Sequence, residues 1–259
     1  MATTRFTVTA VHTVKPGKEI DFWKQLTSLA ILARRSQGCL VSDVYVPHIE
    51  IRTKPLKFLL FQRWTRKEDY DRHTQDPKLR DFDVAPFCEV GSLERIFWNT
   101  VTRPSSNNDK EVDETSSYTV FIINQAKPGL TEKLQKNLVE LAHLTSTEPT
   151  CICAEIHIPL DPVRIQDRQI MTFMTFQDKF AFERHMFEPH SNELGAAVFQ
   201  MQERIPELTY WSKCPGEKIE SSDELNEQGL KRRIEEITSE KSAEEFYAIL
   251  ECSNKKLKN

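Results

Sequence analysis

Phe6-Thr7-Val8-Thr9-Ala10-Val11-His12-Thr13-Val14-Lys15-Pro16-Gly17 is the stretch on which the fold turns. Its first nine residues alternate as a half-buried strand does. Pro16-Gly17 breaks the strand and opens a helix, because proline suits a first helical turn, where its missing N–H has no partner anyway. Lys15-Pro16-Gly17 returns as Lys127-Pro128-Gly129, an offset of 112 (127 − 15). At that offset Leu26 meets Leu138, Ala30 meets Ala142, Cys39 meets Cys151, Pro47 meets Pro159 and Phe61 meets Phe173. Arg72-His73 meets Arg184-His185, Pro77 meets Pro189, and Phe87 meets Phe199. Similar residues fill the intervals: Trp64 with Phe176, Tyr70 with Phe182, Trp98 with Tyr210. A repeat of this length is a whole small domain rather than a solenoid unit.

Outward from the first strand, Phe22, Leu26, Leu29, Ala30 and Ala33 recur at helical spacing, and Gln37-Gly38 closes that helix. Strands follow over about 39–46 and 58–64, short helices over about 67–75 and 78–88, and a last strand over about 93–101. The second half repeats the order. Its strands fall at about 118–126, 151–158, 170–176 and 208–212, and its helices at about 130–147, 179–187 and 190–203. This divides the chain into a first unit (1–102), a polar linker (103–117), a second unit (118–214) and a charged helical tail (215–259). The tail carries a capping-box spacing at Ser242-Ala243-Glu244-Glu245. Each β-α-β-β-α-β unit has the ferredoxin-like order, an α+β fold with helices on one face of an antiparallel sheet. The other sheet face needs cover. Two units in one chain supply it by closing an intrachain pseudo-dimeric α/β barrel. A monomer that imitates a homodimer is therefore expected, with a true homodimer as the alternative.

Composition narrows the function. A net charge of −4 and a pI near 6.0 argue against a nucleic-acid partner. No apolar run approaches the length of a membrane helix, so no membrane partner is expected. No apolar signal core precedes the first strand, which points to a cytoplasmic protein with six free thiols. Cys151-x-Cys153 lacks the two-residue gap usual for paired metal ligands, and no metal site is expected. Seven glycines leave no phosphate-cradling loop, and neither Gly-x-Ser-x-Gly nor His-Glu-x-x-His occurs.

Lys15-Pro16-Gly17, Gly38-Cys39-Leu40, and the run from Phe61-Gln62-Arg63-Trp64 through Arg72-His73 to Asp76-Pro77-Lys78-Leu79 resemble the antibiotic biosynthesis monooxygenase family. The resemblance covers about 5–101 well, about 117–213 more weakly, and not the tail. It implies the dimeric α/β-barrel fold. It also implies a cofactor-independent monooxygenase that oxidises an aromatic quinol, anthrone or polyketide-like substrate with O₂. A non-catalytic barrel binding a small hydrophobic ligand or a protein partner is the alternative.

Such a reaction needs a flat apolar pocket and a base near the phenol, and histidine is a natural base. His73 and His185 fall where the family segment has its histidine and are the catalytic candidates. Trp64, Phe176, Trp98 and Tyr210, at strand ends and in the last strands, are the candidate substrate-binding aromatics. His190 joins them, although the first half has Lys78 there. His12 answers to Asn124 and is expected at a surface or strand edge. Haem-degrading relatives pair a strand-one asparagine with a tryptophan and a downstream histidine. Asn124 with Phe176, and Trp64 with His12, each supply part of that set, so haem is the least favoured reading.

Overall fold

The computed structural model describes residues 5–48, 55–102 and 117–214. The expected linker, save Ser117, and the expected helical tail lie outside the described residues. The first half runs β1 (Arg5–Thr13), α1 (Glu19–Arg34), β2 (Cys39–Pro47), β3 (Lys57–Trp64), α2 (Lys67–Thr74), two 3-10 turns (Pro77–Asp81 and Ala85–Phe87) and β4 (Glu94–Thr100). The second runs β5 (Tyr118–Gln125), α3 (Thr131–Thr145), β6 (Cys151–Pro159), α4 (Pro162–Gln166), β7 (Gln169–Phe176), α5 (Lys179–His185), α6 (Pro189–Met201) and β8 (Glu207–Lys213).

Within the halves the antiparallel strand orders are β4-β1-β3-β2 and β8-β5-β7-β6, the ferredoxin-like order in each. The two sheets then join edge to edge. β2 pairs with β8 from Tyr45↔Lys213 to Pro47↔Trp211, and β4 pairs with β6 from Trp98↔Pro159 to Thr100↔His157. Closure leaves no edge strand with a row of unpaired backbone groups. Among the described residues no helix is long and apolar enough to cross a membrane.

Strand alternation sorts the side chains into two sets. Tyr45, Leu59, Phe61, Ile96, Trp98, Phe121, Met171, Phe173 and Trp211 come from both halves and fill the barrel. Phe61 and Phe173, repeat partners, stack at 4.3 Å across its middle. On the outside, α1 lays Phe22, Leu26 and Ala30 on Ala10, Phe58 and Leu60, while α3 lays Leu134, Leu138 and Ala142 on Val120, Ile156 and Ile170. The barrel also holds a charged pair that crosses the halves: Arg63 Nη2 donates to Glu155 Oε2 at 2.6 Å, both side chains buried. Burial raises Glu155 above the usual carboxylate range against the pull of Arg63. Burial, and then Arg63, hold His157 well below its ordinary value, so it sits there neutral with Nδ1 3.0 Å from Thr100 Oγ1.

Three features depart from expectation. The helix expected over 78–88 is two short 3-10 turns, because Pro86 lacks an N–H and disfavours helical backbone at Ala85. The short helix α4 is an addition. Asp161 caps it by accepting from Val163 N and Arg164 N, with Pro162 in the first position. The third departure is in the repeat itself, whose offset is not constant. Lys15 N donates to Phe87 O, but Lys127 N donates to Met201 O, so Phe87 answers to Met201 rather than Phe199. Thr7 pairs with Trp98 and Thr119 with Trp211, so Trp98 answers to Trp211 (211 − 98 = 113) and Tyr210 answers to Phe97. A one-residue slip in a strand moves a side chain to the other face. Trp98 therefore points into the barrel, while Tyr210 packs on the helix side.

A paired β-bulge is shared by both halves, between Cys39 and Val41 and between Cys151 and Cys153. Regular alternation would put Cys151 and Cys153 on one face. The bulge sends Cys151 to the helix side and Cys153 toward the barrel.

Candidate active site

The site is built where α2 returns to the sheet. Gly38 has φ +83°, and a Cβ on it would lie 2.5 Å from the Asp69 side chain, so only glycine lets α2 dock this closely. Thr65 N donates to Gly38 O at 2.8 Å and fixes the end of β3 beside it. That arrangement sets His73, in the last turn of α2, against two supports. Its Nδ1 lies 2.9 Å from Ser36 Oγ, just beyond α1, and its ring lies 5.0 Å from Trp64. The second half uses the same frame with a different partner. His185 Nδ1 lies 2.6 Å from Glu148 Oε1, and its ring is 5.1 Å from Phe176. Ser36 and Glu148 stand at the repeat offset of 112 (148 − 36).

His73 opens onto a cavity of about 270 Å³ between the outer face of the first half's sheet and helices α1 and α2. Val8, Ala10, Leu26 and Leu60 give it apolar walls, Leu79, Phe82 and Val84 cover it, and His12, Gln62, Tyr70, Thr74 and Arg95 add polar groups. His12 is 4% exposed, which corrects its expected place at a surface or edge. β1 is flanked by β3 and β4, so it has no free edge, and alternation turns His12 toward α1, 5.2 Å from the Phe22 ring. Burial, then the Arg95 charge, lower its pKa to about 4. Burial also lowers His73, with Asp76 opposing. Both imidazoles are neutral at neutral pH. Arg95, exposed at the cavity's rim, bonds the Tyr70 hydroxyl and is the cation of the site.

The corresponding space in the second half is filled differently. Ile122 stands where Ala10 does, and Asn124 stands where His12 does. Asn124 Nδ2 donates to Thr172 Oγ1 at 3.1 Å, and its Oδ1 accepts from Gln202 Nε2 at 3.1 Å. That commits the asparagine on which a haem reading would depend. The continuous helix α6 packs on α3 and buries Val198 and Met201 in place of the two loose turns of the first half.

Of the candidate catalytic and substrate-binding residues, only His73 lines the cavity. Trp64 is fully buried and backs His73, and Phe176 does the same for His185. Trp98 is inside the barrel, its Nε1 donating to Thr9 Oγ1 at 2.9 Å. Tyr210 packs beside Tyr118 and Phe182. His190 Nε2 joins Glu148 Oε1 at 2.9 Å, so His185, His190 and Glu148 form one cluster. Sequence reasoning missed Arg95, Gln62 and Glu148. Arg95 and Gln62 carried a signal, as polar residues on the helix-facing parity of strands β4 and β3. Cys39, the cysteine beside this frame, is raised to about 11, chiefly by burial, and stays protonated.

A pseudo-dimeric α+β barrel with a histidine-lined pocket under its helices is the class that fold and site define. Within it, residues 5–84 match the family model described as antibiotic biosynthesis monooxygenase, so the first half carries the domain that the sequence resembles. Solved structures share the whole barrel. A provisionally named monooxygenase from Fusobacterium nucleatum superposes with a TM-score of 0.70 at 12% identity, covering 82% of this chain and 94% of its own. One from Lactobacillus acidophilus gives 0.65 at 12% identity, covering 81% and 94%. An anthrone oxidase-like protein gives 0.56 at 14% identity, covering 82% and 91%. At these identities the likeness is one of fold. No curated protein matches the sequence.

Proposed function

We propose that the first half's cavity binds a small phenolic or quinol-type aromatic and that the protein oxidises it with O₂ as a cofactor-independent monooxygenase. The observation that carries this reading is the cavity itself: apolar walls with two neutral buried histidines inside and one arginine at the rim. A neutral His73 can accept the phenol proton while Ser36 holds its Nδ1, and the Arg95 charge favours the resulting phenolate. The electron-rich anion then reduces O₂. One oxygen atom enters the ring, the other leaves as water with the two hydrogens the substrate gives up, and the substrate supplies all the electrons. The apolar roof keeps other water out. The names of the structural neighbours, a monooxygenase and an anthrone oxidase-like protein, support this chemistry. At about 270 Å³ the cavity is just below the usual ~300–1,000 Å³ range for drug-sized ligands, which favours one or two rings over a large polyketide.

O₂ uptake with hydroquinone, naphthohydroquinone and the larger anthrone in chelator-treated buffer tests the proposal. Uptake is expected with the one- and two-ring substrates, with kcat lowered roughly 100-fold in His73→Ala, the usual worth of a positioned base. Because burial lowers His73, the acid limb of the rate should lie below the ordinary histidine value of 6.5. Binding of these phenols without O₂ uptake would reduce the protein to a ligand-binding barrel, and neither binding nor uptake would overturn the reading.

A further inference from the structure

We propose that Glu148, His185 and His190 form a site for a divalent transition metal of the zinc and ferrous-iron class, separate from the cavity of the first half. Their three donor atoms lie within 4.8 Å of one another, the one such group of three among the described residues. His185 Nδ1 and His190 Nε2 converge on the same Glu148 oxygen at 2.6 and 2.9 Å. Two imidazoles and one carboxylate suit borderline divalent ions. Calcium and magnesium prefer oxygen ligands only.

Three further observations point the same way. His185 is 3% exposed, so its ring is held by packing, and its second nitrogen lies 3.0 Å from Ser191 Oγ. That is the outer hydrogen bond by which a ligating histidine is normally oriented. The His190 side chain is 19% exposed, which gives the ion an entry path and leaves room for water in the remaining positions. The repeat itself provides an internal comparison. The first half has Ser36, His73 and Lys78 on the same frame, a set with a single strong ligand. Two changes, Ser to Glu at 148 and Lys to His at 190, give the second half a complete three-ligand set. Both changes fall within reach of the histidine the halves share.

The experiment titrates Co²⁺ into the full chain stripped by chelator and follows the visible d–d absorption. Zn²⁺ and anaerobic Fe²⁺ are then added as competitors to rank the two ions at the site. One equivalent per chain is expected, without the thiolate charge-transfer band that cysteine ligation would bring. His190→Lys restores the first half's residue at a part-exposed position and should weaken binding on the order of 100-fold or more, above the usual cost of losing an outer partner. Ser191→Ala should cost about 10-fold. Thermal melts confirm that both variants fold. No saturable binding near one equivalent would overturn the proposal, and so would binding left unchanged in His190→Lys and Glu148→Gln. In those cases the cluster is a hydrogen-bonded histidine pair on a carboxylate.

Discussion

His12 and His73 differ in how they hold their neutral state, and that difference can be measured. Burial, then Arg95, lower His12 to about 4 from 6.5. A histidine whose folded pKa lies below its unfolded one binds fewer protons when folded, so acid favours the unfolded chain. Its stabilising contribution is therefore complete above pH 6.5 and is lost as pH falls toward 4. The loss amounts to about 3 kcal/mol over that window. His12→Asn places there the residue that β5 carries at Asn124, and urea midpoints between pH 7 and 4 should show a shallower acid decline than in the parent. His73 and His157 are lowered too and leave part of the slope in both proteins. His73 and His185 could be found from sequence because a short motif carries them. The burial of His12 could not, because the partners of β1 in the flanking strands are 44 (57 − 13) to 95 (100 − 5) residues away along the chain and only the closed sheet brings them alongside.

At the scale of elements, the contrast between the two 3-10 turns and α6 sets the helix-side layers of the two halves apart. The turns leave Leu79, Phe82 and Val84 as a thin cover, whereas α6 drives Val198 and Met201 into the equivalent layer. Little in the residues warned of this. Pro77 and Pro189 match, and only Pro86, with no proline at the matching place, marks the first half as unable to continue a helix. The residues added in α6 also explain why a constant offset misaligned Trp98 with Tyr210, since one residue of slip is invisible in composition and reverses a strand's faces. The docking of α2 rests on Gly38. Gly38→Ala combines a left-handed backbone, worth about 1–2 kcal/mol, with a Cβ at 2.5 Å from Asp69. Its thermal midpoint should fall by at least the equivalent of that strain, and phenol binding should weaken as His73 loses its position.

The described residues form one barrel because each half completes the other. This was readable from the repeat and from the need to cover a sheet's second face, but the edge-to-edge joining of β2 with β8 and β4 with β6 was not. Arg63 and Glu155 mark that closure, a buried charge pair reaching from β3 to β6. Removing one partner leaves the other charge buried and alone, so Glu155→Gln should cost about 3–5 kcal/mol in denaturant unfolding. Arg63→Met with Glu155→Leu should recover much of that loss, and the coupling in the double-mutant cycle measures the link between the halves. The helix-side layers of the two halves differ, with a cavity lined by His73 in the first and Ile122, Asn124, Val198 and Met201 in the same layer of the second. Calorimetric titration of a naphthohydroquinone analogue that cannot react with O₂, into the parent and into Ala10→Ile, tests that inequality. Ala10 lines the cavity and Ile122 stands at the equivalent place in the second half. One equivalent bound per chain, abolished by Ala10→Ile with the fold retained, is the expected result. Two equivalents, or one that survives the substitution, would contradict a single site in the first half.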